Sequence, residues 1–253
     1  MKKLDKRKKT SIIIVFLLVV VLACTIISSK NTLEAFSYAD KKLPIYSVDT
    51  EEKKIAITFD TTWGDDNVEE ILNLLDKYDA KATFFVIGLW ADDFPDRVKE
   101  IDKRGHEIGN HSNKHPNMTN ISKEKIIKEL DITDAKLLEL IGKTTNIFRF
   151  PEGAYNDLAV EAVESTGRKC IQWDIDSIDW KKEDPKTQYD RVIKKVEPGS
   201  ILLFHTNTEH TVESLEMVLE KLKSEGYKFV KTSDILYEKD YHINGQGKQI
   251  KNK

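Results

Sequence analysis

Residues 54–60 read Lys54-Ile55-Ala56-Ile57-Thr58-Phe59-Asp60, a short apolar and β-branched run that ends on a carboxylate. A run of this length, bounded by polar and turn-forming residues, has the signature of a buried strand. The pattern recurs: further strands are expected at Ala82–Ile87, Glu107–Gly109, Ile147–Arg149, Lys169–Trp173, Ser200–Phe204 and Lys228–Val230. Between them the apolar spacing shifts to the helical period, over Asp66–Tyr78, Asp92–Arg104, Ser122–Ile141, Asn156–Thr166, Pro185–Val196 and Val212–Glu225. Strands alternating with helices of this length build parallel βαβ units, as an open sheet or a closed barrel.

In both arrangements the chemistry collects at the C-terminal ends of the strands. Asp60, His111, Arg149, Asp174 and His205 all fall at or just after the end of an expected strand. Core packing alone does not bring five polar side chains to one edge, so that edge is expected to be a site.

The composition sets bounds. With 253 residues, 40% of them apolar, the chain has enough material for a well-filled core and no sign of disorder, collagen or coiled coil. The net charge of −3 hides an asymmetry, because the first nine residues carry five lysines, one arginine and one aspartate. The remaining body is acidic, which argues against nucleic acid as a partner. The two cysteines, Cys24 and Cys170, cannot make a disulfide framework, and Cys170 reads as a small buried hydrophobe.

The basic segment 1–11 precedes an apolar stretch over 12–28, with no good small-residue cleavage site after it. This order is expected to give a membrane signal-anchor with its positive end inside and the rest of the chain facing outward. Residues 29–51 then read as a stem, 52–238 as the main domain and 239–253 as a polar tail.

His111 and His115 are four apart, a spacing that on a helical turn puts both imidazoles on one face, where they could share a metal ion. Zinc suits imidazole and oxygen donors best, with cobalt, nickel or manganese as alternatives. A chance pair of surface histidines is the plainer explanation. Asp60 can be a general base or a turn aspartate. Arg149 can hold a carboxylate in place or make a structural ion pair. Trp180 can stack on a sugar or fill a core, and His205 beside a carboxylate would gain the pKa of an acid.

Together these segments resemble the polysaccharide deacetylase family, the carbohydrate esterases with a NodB homology domain, over roughly Glu52 to Leu236. The wording is most similar to the PdaB-like branch associated with sporulation, through Leu43–Thr50, Trp63-Gly64 and Asp176–Trp180. The resemblance implies a distorted (β/α) barrel and metal-dependent removal of N-acetyl groups from a cell-envelope polysaccharide, with peptidoglycan as the expected polymer. It implies Asp60 as base, His111 and His115 as metal ligands, and Arg149 as the residue that orients the base. The backbone just after Arg149 would belong to the oxyanion-stabilising region. His205 would be the general acid tuned by Asp179, with Trp180, Leu203 and Phe150 binding substrate.

Two positions depart from the family pattern. Thr61 stands where a second aspartate ordinarily ligates the metal, so water, Asp65 or Asp66 would have to complete the set. Glu152 stands where an aromatic residue is common. A glycan-binding protein without turnover and an O-acetyl esterase are the alternatives.

Overall fold

The computed structural model describes residues 41–64 and 67–252, and the expected anchor over 12–28 lies outside these residues. Among the described residues no helix is long and apolar enough to cross a membrane. From Lys42 onward the chain forms one compact unit.

Its centre is a parallel sheet. In chain order after β1 (Ser47–Val48), its strands are β2 (Lys54–Thr61), β3 (Thr83–Val86), β4 (Glu107–Asn110), β5 (Ile147–Phe148), β6 (Lys169–Cys170), β7 (Ile175–Asp176), β8 (Ile201–His205) and β9 (Lys228–Val230). The spatial order is β6-β5-β4-β3-β2-β8-β7, and β9 pairs with the start of β2. No pairing joins β6 to β7, so the sheet is a curled half-barrel and not a closed one. The expectation of a barrel holds in this open form.

β2 is central because it is apolar on both faces. Ile55, Ala56, Ile57 and Phe59 are fully buried, as a parallel strand covered on both sides requires. Phe59 stacks on Phe84 of β3 with ring centroids 4.8 Å apart. Helix α1 (Val68–Lys77) covers this region with Val68, Ile71, Leu72 and Leu75, the i, i+3, i+4, i+7 stripe of an amphipathic helix.

The helix expected over Asp92–Arg104 is two helices, α2 (Gly88–Asp93) and α3 (Pro95–Lys103). Pro95 lacks an amide hydrogen and disfavours helical geometry at Phe94, whose φ is −129°. α4 (Lys123–Ile141) starts on the side chain of Ser122, which accepts from the Lys125 amide, and stops at Gly142 with φ +70°. Three longer helices, α5 (Asp157–Glu164), α6 (Pro185–Ile193) and α7 (Thr211–Ser224), and a short one, α8 (Thr232–Ile235), follow in the chain.

Two ends of the chain differ from expectation. Residues 43–48 are not a stem but part of the domain. The Ile45 amide donates to Cys170 O at 2.8 Å and the Val48 amide to Gly199 O at 2.9 Å, so this segment spans the gap between β6 and the start of β8. The expected polar tail forms a hairpin, β10 (Tyr241–Ile243) and β11 (Lys248–Lys251), and β11 pairs in parallel with β1. Gln249 is fully buried and exchanges two hydrogen bonds with the backbone of Tyr237. Deleting residues 239–253 is therefore expected to lower the melting temperature by roughly 5–10 °C, the size for losing a few kcal/mol in a domain of this length. An unchanged calorimetric Tm would show that the hairpin is ornamental.

Candidate active site

The register of β2 and β8 decides the site. Asp60 is the register partner of His205, so both side chains leave the sheet on the same side. Leu203, two residues before His205, shares that face, and Asp176 of β7 is its register partner. Arg149 follows β5 and reaches Asp60 with Nη1, donating to Oδ1 at 2.8 Å. Its Nη2 donates to Gln172 O at 3.0 Å. The guanidinium is fully buried, 4.1 Å from the Phe85 ring centroid and 5.3 Å from that of Trp173.

His111 and His115 meet, but not on a helix. They lie on a loop after β4 in which Ser112 and His115 have φ of 73° and 57°. Their ring centroids are 5.0 Å apart. His111 Nδ1 donates to Arg149 O at 2.9 Å, which fixes the tautomer and leaves the Nε2 lone pair free. That nitrogen is 3.4 Å from Asp60 Oδ2 and is buried without a hydrogen-bond partner.

On the other side of Asp60, His205 Nδ1 donates to Asp179 Oδ1 at 2.7 Å, and its backbone amide donates to Asp179 Oδ2 at 2.8 Å. Thr211 also donates to Oδ2. The turn carrying Asp179 is strained, since Ile178 is β-branched and has φ 55°. Five of the seven non-glycine residues with positive φ among the described residues (Ser112, His115, Glu152, Ile178 and Lys182) lie in loops around this site. Strain of this kind is held where the surroundings fix a functional geometry.

The histidines are driven in opposite directions. Burial pushes His111 down to about 4, against the pull of Asp60, so it is neutral at ordinary pH. Burial also lowers His115. His205 is opposed by burial as well, but the hydrogen bond and charge of Asp179, helped by Asp60 and Asp176, outweigh it and raise its pKa. Burial likewise works against ionised Asp60, yet the positive charge and hydrogen bond of Arg149, with His205 on the other side, bring its pKa below the ordinary value. The result is a carboxylate between neutral imidazoles and an imidazole biased toward its protonated form.

Neutral His111, with an unsatisfied buried Nε2, has the chemistry of a metal ligand, and His115 is next to it. Thr61 carries a buried hydroxyl without a partner. Among the described residues no three His, Cys, Asp or Glu side chains cluster for a metal. The residues that would hold a divalent ion here are the two imidazoles, His111 and His115. Asp65 and Asp66, the expected substitutes for a third ligand, lie outside the described residues.

A cleft of about 560 Å³ opens over these groups, lined by Asp60, His115 and His205 and walled by Trp63, Trp173, Trp180 and Leu203. Trp63 and Trp180 are more than half exposed. Two expectations fail here. Phe150 is fully buried, its ring 5.0 Å from Phe148 and 5.6 Å from Tyr155, and it does not line the cleft. Asp174 is not at the strand-end edge, because β7 begins only after it. Its carboxylate accepts from Ser200 Oγ and the Ile201 amide, at the opposite end of β8. Trp63, Trp173, Asp176 and Gln172 were not picked out by sequence as site residues. For Asp176 the signal was present in the acid–apolar alternation of 174–179.

An acid–base pair beside a two-histidine loop, on the C-terminal edge of a parallel half-barrel, defines a hydrolytic site. The sequence profile of the family described as polysaccharide deacetylase matches residues 47–171. The chain is 36% identical over 197 residues to a peptidoglycan-N-acetylglucosamine deacetylase of Bacillus cereus, covering 76% of this chain and 92% of that one. It is 32% identical over 211 residues to the peptidoglycan-N-acetylmuramic acid deacetylase PdaA of Bacillus subtilis, covering 82% and 80%. The solved structure of PdaA, a family 4 carbohydrate esterase, matches with a TM-score of 0.72 and 31% identity over 82% of this chain and 88% of that chain. A family 4 pseudoenzyme from Bacillus anthracis matches with a TM-score of 0.74 and 34% identity, covering 77% and 69%. A mutant of that protein with restored enzymatic activity matches at 0.74 as well, with 35% identity over 77% and 71%. The chain belongs to the polysaccharide deacetylase family and has its NodB-type fold.

Two outcomes follow from the geometry. Asp179→Asn removes the charge that holds His205 up, so the His205 titration midpoint, read by NMR, is expected to fall. An unmoved midpoint would discard Asp179 as the cause. Thr61→Asp adds an anionic donor beside two neutral ones and is expected to tighten zinc binding about tenfold or more, measured by calorimetry. Unchanged affinity would place position 61 outside the metal's reach.

Proposed function

We propose that this chain is a divalent-metal-dependent N-deacetylase acting on peptidoglycan-type glycan, releasing acetate and leaving a free amine on the sugar. The observation that carries the reading is the side-by-side placement of an ionised Asp60, clamped by Arg149, and a His205 biased toward protonation by Asp179, both on one cleft. A general base and a general acid with pKa values pushed apart are what amide hydrolysis requires. The names of the Bacillus relatives support the polymer.

His111 and His115 would hold the ion, zinc by the donor set, which when bound supplies Lewis-acid polarisation of the acetyl carbonyl. Asp60 takes the proton of the attacking water through the carboxylate that Arg149 orients. As water adds to the carbonyl carbon the C–N bond breaks, and His205 gives its Nε2 proton to the departing amine, Nδ1 being tied to Asp179. Leu203 and Trp173 supply apolar wall for the acetyl methyl group, and the exposed Trp63 and Trp180 offer faces for sugar rings. The basic-then-apolar N-terminus supports an outward-facing, membrane-tethered location, and the PdaB-like segments support a role in sporulation.

A second reading, glycan binding without turnover, is favoured by one observation: Thr61 leaves the ligand set without its usual anion. Acetate release from peptidoglycan and from N-acetylglucosamine oligomers, after chelation and resupply of zinc, cobalt or manganese, separates the two. Turnover is expected with metal, and Asp60→Asn is expected to reduce it about 10²- to 10⁴-fold while glycan binding persists. No release with any metal from a folded wild-type protein would leave the binding reading in place.

A further inference from the structure

We infer that Glu129, on α4 and outside the cleft, is a positioning residue that fixes the His111–His115 loop and thereby sets how tightly the two imidazoles hold a divalent ion. The inference rests on the metal-binding part of the proposed function and adds a residue to it.

The loop makes a sharp path with two residues of positive φ, so its backbone groups cannot pair as a helix or strand would. Each amide nevertheless has an acceptor. The His111 amide donates to Val86 O at 3.0 Å. The Ser112 amide donates to Asn110 Oδ1 and the His115 amide to Ser112 Oγ, both at 2.9 Å. The two amides between them, Asn113 and Lys114, both donate to one atom, Glu129 Oε2, at 3.0 and 2.8 Å. The carboxylate is thus the sole acceptor for the middle of the loop, and hydrogen bonds to an ionised acceptor are the strong kind.

The carbonyl side is held as tightly. The amides of Gly88 and Leu89, at the start of α2, donate to Ser112 O and Asn113 O at 3.0 Å each. A Cβ at Gly88 would lie 2.4 Å from Asn113 Oδ1 and 2.8 Å from Thr133 Oγ1, so the loop is wedged between α2 and α4 without slack. Glu129, Thr133 and Lys136 sit at i, i+4 and i+7 on α4, one face of the helix, and Lys136 Nζ donates to Asn113 Oδ1 at 2.9 Å. With the neutral Thr61 in place of an anionic ligand, binding depends more heavily on the two imidazoles being held in position beforehand. Residues that orient metal-binding histidines in this way typically change affinity 10- to 100-fold when removed.

The test uses the full chain with Glu129→Ala, Glu129→Gln and, as a charge control on the same helix, Glu139→Gln. Two readouts are taken: zinc affinity by calorimetry, and hydrogen exchange of the Asn113 and Lys114 amides in metal-free protein. Glu129→Ala is expected to weaken zinc binding about 10- to 100-fold and to abolish protection at those two amides, while circular dichroism shows a folded protein. Glu129→Gln, which keeps an acceptor oxygen, is expected to recover most of both effects, and Glu139→Gln to change neither. Unchanged zinc affinity and unchanged protection in folded Glu129→Ala would overturn the inference. If the wild-type protein binds no zinc, the metal reading fails by itself, and the amide exchange alone then decides whether Glu129 holds the loop.

Discussion

The ion pair between Arg149 and Asp60 is the constraint on which the rest of the site depends. Arg149 has no exposed surface, and moving a guanidinium out of water costs several kcal/mol unless its partners are close and well aligned. Here the partners come from separate strands. Asp60 is on β2, the Gln172 carbonyl lies after β6, and the flanking rings of Phe85 and Trp173 lie on β3 and after β6. Only a sheet curled far enough to bring β6 toward β2 can surround one side chain this way. The open half-barrel and the buried charge therefore specify each other: the curl makes the pocket for the guanidinium, and the guanidinium penalises a flatter sheet.

The same pair organises the charges around it. Asp60 stays ionised because Arg149, with His205 beside it, offsets its burial. His111 has its Nδ1 committed to the Arg149 carbonyl and its ring buried, so it stays neutral and presents a lone pair. His205, a register partner of Asp60, gains a second carboxylate at Asp179 and is biased the other way. Two imidazoles on either side of one carboxylate are thus biased in opposite directions, although burial lowers both. The difference comes from what each Nδ1 touches, a neutral carbonyl in one case and a carboxylate in the other.

Much of this was legible in the sequence, for a physical reason. β2 and β8 are long enough for their apolar runs to mark their ends, and the polar residue at each end, Asp60 or His205, is the one the fold places over the cleft. At one of the two-residue strands, β7, the signal fails. β7 spans only Ile175–Asp176, so Asp174, one residue earlier, falls at the wrong end of the sheet. Phe150 misled because its neighbour Arg149 faces the site while the following ring turns into the cluster with Phe148 and Tyr155. The C-terminal hairpin was hidden by its polarity. Gln249 is buried with both amide groups satisfied by Tyr237, a contact with no counterpart in hydrophobic periodicity.

Thr61 is where fold and chemistry separate. Its replacement of an aspartate leaves the sheet intact, since a β-branched residue suits a central strand at least as well as a carboxylate does. The Bacillus anthracis relatives show the same independence from the other direction, as one matched scaffold is a pseudoenzyme and the other a mutant of it with restored activity. Backbone likeness therefore cannot decide between turnover and binding in this chain; the side chains must. Asp60, Arg149, Asp179 and His205 are all present and in contact as an acid–base system. A surface that only bound glycan would gain nothing from burying a charged arginine to orient one carboxylate, or from a strained turn that aims another at a histidine. These costly features are intelligible if the protons they govern are moved.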